Sequence, residues 1–285
     1  MSEGRCIIVP MTTLGAIYLP QHPPEALRDV AVAADRAGLA ELWLWEDCFL
    51  SGGVAASAAA LAWTERLRVG IGIMPVPFRN VAATAMEIAT LSRMFGDRVL
   101  PGIGHGVQDW MGQVGARAAS PLTLLREYAT ALRSLLHGEE VTVSGRYVQL
   151  DAVRLDWPPA VIPDLYVAAT GPKTLALAGE VGDATVLAGG TSPAGVTEAR
   201  ELSGAKDLVV FVPALPGDSA GRLVAAREKY GHAFAGLSGT AAEIAEGVRL
   251  FAAAGATRVI LQPLEEDDPI AYVRWVAEEV RPLVG

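Results

Sequence analysis

Along the chain, short apolar runs alternate with longer stretches whose apolar residues recur every three or four positions. Cys6–Pro10 (CIIVP) reads as a strand, and Leu27, Val30, Ala31 and Ala34 follow at helical spacing, with Gly38 as the stop. Glu41–Trp45 is a second strand and Val54–Thr64 an alanine-rich helix. Arg68–Met74 and Asn80–Phe95 form the third pair, and Arg98–Gly104 is the fourth strand. Ser120 and Pro121, a helix cap and a first-turn proline, open a helix to about Leu136. Glu140–Leu150 has a hairpin pattern with its turn at Ser144-Gly145.

The same alternation resumes with the strand Asp164–Ala169 and the helix Pro172–Val181, then Ala184–Ala188 with Thr191–Ser203. Asp207–Pro213 is followed by a longer helical region in which Thr240 and Glu243 make a capping box. Arg258–Pro263 is the last strand, and Asp268-Pro269 opens a helix to about Arg281.

Eight strand–helix pairs imply a parallel sheet, and eight in a chain of 285 residues point to a (β/α)₈ TIM barrel with an inserted hairpin. An open doubly wound sheet is the competitor, but no G-x-G-x-x-G follows the first strand. No linker stands out, so residues 1–285 are expected to form a single domain. In a barrel the chemistry sits where strands end. That singles out Pro10–Thr13, Trp45–Cys48, Gly72–Pro77, Gly102–Trp110, Ala168–Lys173, Leu187–Ser192, Pro213–Leu215 and Gln262–Leu264.

Composition narrows the function classes. Half of the residues are hydrophobic (51%) and 19% are charged, which suits a globular protein with a sizeable core. The net charge of −9 and the scattered basic residues exclude a nucleic-acid surface and give no sign of a membrane partner. The apolar run near the start is too short for a signal peptide, and none approaches the ~20 residues of a membrane span. Cys6 and Cys48 are isolated thiols, which fits a reducing cytoplasm; the four histidines match no zinc spacing, so no metal is expected.

Four stretches carry candidate chemistry. Thr170-Gly171-Pro172-Lys173 ends a strand at a helix start, where unpaired N–H groups and the helix dipole favour an anion. A capped helix with no ligand explains the same residues equally well. In RVGIGIM, Gly70 and Gly72 thin a strand, either to admit a flat ring or for packing alone. Pro101–Gly112 combines three glycines with His105, Gln108, Asp109 and Trp110, a loop that suits either a cofactor or ordinary hydrogen bonding. Trp43–Phe49 places Glu46, Asp47 and Cys48 after an aromatic run; the carboxylates suit a ligand pocket, Asp47 equally suits helix capping, and a lone thiol is most often inert packing. Trp43, Trp45, Phe78, Trp110 and Trp157 are candidates for an aromatic pocket lining, and equally for core.

Taken together, ERLRVGIGIMPVPFRN, RVLPGIGHG, the helix and hairpin from Leu124 to Leu150, and VAATGPKTLALAGEVGDATVLAGGTSP resemble the bacterial luciferase-like family of flavin- and deazaflavin-dependent oxidoreductases. The resemblance implies a barrel with a redox cofactor across its mouth. It implies that Ala169, Thr170, Gly171 and Pro172 hold the cofactor phosphate, and that a non-prolyl cis peptide at Gly72-Ile73 supports the ring. Gly104, His105 and Gly106 join the cofactor site, and Asp47 and His105 are the catalytic candidates. Where relatives often carry Asp-His, this chain reads Asp47-Cys48, so no catalytic histidine carries over there. Val107–Trp110 lacks the Asn-Glu pair of some sugar-phosphate-oxidising members, which argues against that substrate.

The expected cofactor is coenzyme F420, with FMN as the alternative. The expected chemistry is hydride transfer between F420 and a small organic substrate. With FMN it becomes oxygen activation by a reduced flavin that a separate flavin reductase supplies. A homodimer accords with relatives. A non-redox phosphate-binding barrel enzyme and a non-catalytic flavin-binding protein are the competing classes.

Overall fold

A computed structural model describes residues 12–230 and 236–285. The elements in chain order are β1 (Thr13–Tyr18), α1 (Leu27–Arg36), β2 (Glu41–Leu44), α2 (Gly53–Ala62), β3 (Arg68–Pro75), α3 (Val81–Phe95) and β4 (Val99–Gly104). Next come α4 (Gln108–Gln113), α5 (Pro121–Leu136), β5 (Val141–Ser144), β6 (Gln149–Val153), β7 (Tyr166–Ala169), α6 (Pro172–Val181), β8 (Ala184–Leu187) and α7 (Pro193–Ser203). The chain continues through β9 (Asp207–Pro216), α8 (Ala220–Tyr230), β10 (Leu237–Gly239), α9 (Ala241–Ala253) and β11 (Arg258–Gln262). It ends in α10 (Pro269–Trp275), a π turn over Val276–Val280, and α11 (Arg281–Val284).

Eight strands close into a parallel barrel in the order β1-β2-β3-β4-β7-β8-β9-β11, with β11 returning to β1. β5 and β6 are the expected antiparallel hairpin, set outside the barrel. β10 adds to the far end of β9 through Ala214–Pro216. The capping box is present as read: Thr240 and Glu243 satisfy each other's backbone N–H groups at the start of α9.

The strand Thr13–Tyr18 was missed by the apolar pattern. The barrel uses Thr13–Tyr18, whereas Cys6–Pro10 lies outside the described residues. Of the expected strand end Pro10–Thr13, the described Thr12 and Thr13 stand at the start of β1, and Leu19 and Gln21, which follow β1, line the cavity described below. The stretch TLGAIY hid because Gly15 and Ala16 give it little bulk, although five of its six residues are buried. Two further elements escaped the pattern. α4 forms inside the loop read as glycine-rich, and β10 splits the long helical region into α8 and α9.

Aromatic side chains fill the barrel interior. Trp43 meets Tyr166 edge-on at 5.5 Å and Phe211 at 5.6 Å, with Ile17, Val209 and Ile260 around them. Gly70 exists for this plug, since a Cβ there would stand 2.3 Å from the Trp43 ring. At the N-terminal ends of the strands the buried Glu41 accepts from Trp43 Nε1 at 3.0 Å and pairs with Arg68 at 3.1 Å and Arg258 at 3.0 Å. That end of the barrel is thus sealed by a structural charge network, which leaves the opposite end for chemistry. No helix among the described residues is long and apolar enough to cross a membrane.

Candidate active site

A cavity of about 670 Å³ opens at the C-terminal ends of the barrel strands, a size typical of small-ligand sites. Its wall brings together Asp47, Gly72, Ile73, His105, Gly106, Ala169 and Thr170 from four different strand ends. Three candidates stand outside the wall. Gly104 lies below it, packed so that a Cβ would meet Ala168 and Ile73 at 3.1 Å. Gly171 and Pro172 follow Thr170 immediately, Gly171 as the N-cap residue and Pro172 as the first residue of α6. Of the aromatics, Trp45 and Trp110 line the cavity. Trp43 is interior core, Phe78 is exposed, and Trp157 lies on the outside with Arg93 5.1 Å from its ring centre.

The start of α6 has the features an anion needs. No side chain caps Gly171, whose carbonyl accepts from Thr174 and Leu175 at 3.0 and 2.9 Å. Among the described residues, the Gly171 and Lys173 amides have no protein acceptor. A Cβ at Gly171 would meet nothing within 4 Å, so the approach is open. Uncapped amides beside a cavity wall suit a phosphate.

On β3 the Gly72–Ile73 peptide is cis, as the resemblance implies, and the β3–β4 register shifts between Ile71 and Met74. The Cys48–Phe49 peptide is also cis, which nothing in the sequence announces. Gly106 has φ +66°, and a Cβ there would press on Pro75 at 2.7 Å, so the loop after β4 needs glycine.

Glu46 and Asp47 divide their roles. Glu46 is structural: one oxygen accepts from the Gly53 amide at 2.7 Å and the other from Arg79 at 2.5 Å, while Arg79 also reaches Glu87 at 2.8 Å. The Asp47 carboxyl has no partner among the described residues, and burial pushes its pKa up to about 6. It faces the cavity as a group able to hold or release a proton near neutrality. Burial holds His105 below the ordinary imidazole range and therefore neutral. Its Nδ1 is buried without a partner, and its Nε2 faces Thr174 Oγ1 at 3.5 Å, which ties the β4 loop to the start of α6. Burial raises the Cys48 thiol pKa, with Glu46 and Asp47 adding to the effect, so the thiol stays protonated.

Two wall residues were visible only as members of strand ends. Gln262 closes β11 and Gly189 follows β8; both line the cavity. Their sequence signal is position alone.

Comparison with known proteins places this architecture. The sequence model of one family, described as luciferase-like monooxygenase, matches residues 5–205. A 5,10-methylenetetrahydromethanopterin reductase of Methanolobus tindarius is 31% identical over 176 residues, 61% of this chain and 53% of that one. An F420-dependent glucose-6-phosphate dehydrogenase of Tsukamurella paurometabola is 32% identical over 187 residues, 60% of this chain and 55% of that one. In each case the matched region spans about half the length of the curated relative. Among solved structures, the FMN complex of the oxygenating constituent of 3,6-diketocamphane monooxygenase from Pseudomonas putida superposes with a TM-score of 0.79. It is 17% identical and covers 96% of this chain and 99% of its own. That likeness concerns the fold.

Proposed function

The chain belongs to the luciferase-like monooxygenase family, and on that premise we propose that it is an oxidoreductase that binds coenzyme F420 across the barrel mouth and acts on a small organic substrate. The observation that carries this reading is the pairing of two features on one cavity: uncapped amides at the start of α6 and a buried, unpartnered carboxyl at Asp47.

When bound, the deazaflavin would supply hydride chemistry. The residues of this chain supply the rest. The amides of Gly171 and Lys173, with the Thr170 hydroxyl, suit the phosphate, and the helix dipole adds to their pull. Gly72, Ile73 and Gly106 give a flat ring backbone to rest on. Trp45, Trp110 and Phe211 keep water from the reacting groups. Asp47 holds the proton that must leave or reach the substrate oxygen, and its raised pKa suits both directions. His105 positions the phosphate end through Thr174 and is not the proton carrier in this reading.

F420 is favoured over FMN by the F420 dependence of the Tsukamurella paurometabola relative. The FMN-bound neighbour supports a second reading, a monooxygenase fed by a separate reductase. A homodimer belongs to both. Fluorescence titration of the purified protein with F420 and FMN separates them. F420 binding at micromolar concentration or below, with FMN at least about tenfold weaker, supports the first reading. The reverse order supports the second, and binding of neither removes the redox reading.

A further inference from the structure

Three neighbouring barrel strands, β11, β1 and β2, end in one polar arc of the cavity wall: Gln262 closes β11, Gln21 stands beyond β1, and Asp47 beyond β2. The features suited to a cofactor lie on other strands, with Gly72–Ile73 on β3, Gly106 after β4 and Ala169–Thr170 at the end of β7. The first arc is therefore the one left for substrate.

Gln262 is the member of that arc that calls for a ligand. It is only 9% exposed, yet its amide makes no hydrogen bond to any described residue. The amide opens onto the cavity, where a ligand can supply the partner that the protein does not. Gly189 keeps the space around it, since a Cβ there would come within 3.0 Å of Gln262 Oε1. An amide both donates and accepts, so it complements a neutral carbonyl or hydroxyl oxygen. The surrounding wall agrees. Leu19, Trp45, Phe211 and Leu264 make it apolar, its acidic side chains include Asp47, and among the described residues no lysine or arginine lines it. A phosphate or carboxylate on this arc would shed its hydration and meet a carboxyl instead of a cation.

We propose that the substrate is an uncharged organic molecule with a carbonyl or hydroxyl oxygen, and that Gln262 selects it by hydrogen-bonding that oxygen. The assignment rests on the oxidoreductase reading above. It is tested on the F420-loaded protein with cyclohexanone, cyclohexanol and benzaldehyde as neutral probes and glucose 6-phosphate as the anionic one, followed by tryptophan fluorescence. At least one neutral probe is expected to bind, with glucose 6-phosphate at least tenfold weaker. Gln262→Met is expected to raise that probe's Kd about tenfold while the F420 Kd stays within about twofold. Gly189→Ala, which crowds the same amide, is expected to weaken the same probe and covers the case in which Gln262→Met does not fold.

Binding of glucose 6-phosphate as tight as the neutral probes overturns the proposal. So does a probe Kd unmoved by both variants, a loss in F420 affinity that matches the loss for the probe, or F420 binding with none of the neutral probes binding. Failure of the parent protein to bind either F420 or FMN is a different result: it removes the oxidoreductase reading, and this proposal with it.

Discussion

Arg79 sits on Glu46 at 2.5 Å and thereby ties the end of the second barrel strand to the loop after the third. The pair is largely buried, with side-chain exposures of 18% and 5%, and Glu46 also caps the start of α2 through Gly53. Removing one partner of such a pair strands the other charge. Arg79→Met is expected to destabilise the protein by about 3 kcal/mol, read as a lower midpoint in urea denaturation. A change below about 0.5 kcal/mol would mean that solvent screens the pair.

Asp47 gives a pH signature. Burial raises its pKa from 3.8 to about 6, so the folded protein holds this proton more tightly than the unfolded chain does. The stability it lends is complete below about pH 4 and is lost as pH rises through about 6. Asp47→Asn lacks this loss. Its stability relative to the parent should therefore rise by about 2 kcal/mol between pH 4 and pH 7.5, measured by urea denaturation at the two pH values. A gap that stays constant would show that the carboxyl is solvated.

The start of α6 permits a substitution that separates binding from folding. Gly171 has an ordinary φ of −99° and room for a side chain. Gly171→Asp places a carboxylate where the amides are uncapped, which supports the helix by about 0.5 kcal/mol while occupying the anion position. Thermal stability is expected to hold or rise slightly, and F420 affinity to fall at least about tenfold. Unchanged affinity would place the phosphate elsewhere.

Much of this architecture can be read from the chain, and the exceptions have causes. Alternation of apolar runs and helical spacing marks the barrel because each strand buries both faces and each helix one. β1 escaped because Gly15 and Ala16 thin the middle of TLGAIY and a stronger apolar run precedes it. Trp43 and Trp45 share one strand parity, so period alone cannot say that one plugs the barrel and the other reaches the mouth. Depth in the barrel decides that, and depth is a property of all eight strands. The uncapped helix start was visible in Thr170-Gly171-Pro172 because its chemistry is local. The raised pKa of Asp47 and the place of the Gln262 amide on the cavity wall were not, because the packing of distant strands creates both.

The glycines of β3 serve packing as well as the cavity. A Cβ at Gly70 would overlap the Trp43 ring at 2.3 Å. Gly70→Ala is expected to cost about 2 kcal/mol or more in urea denaturation, since the plug has no room to shift. Parent-like stability would show that Trp43 can move.

The most direct measurement is a crystal structure of the protein with F420. The account predicts the phosphate within hydrogen-bond distance of the Gly171 and Lys173 amides, with the ring against Gly72–Ile73 and Asp47 beside its reacting edge. A phosphate bound away from the start of α6, or a ring outside the cavity, would contradict it.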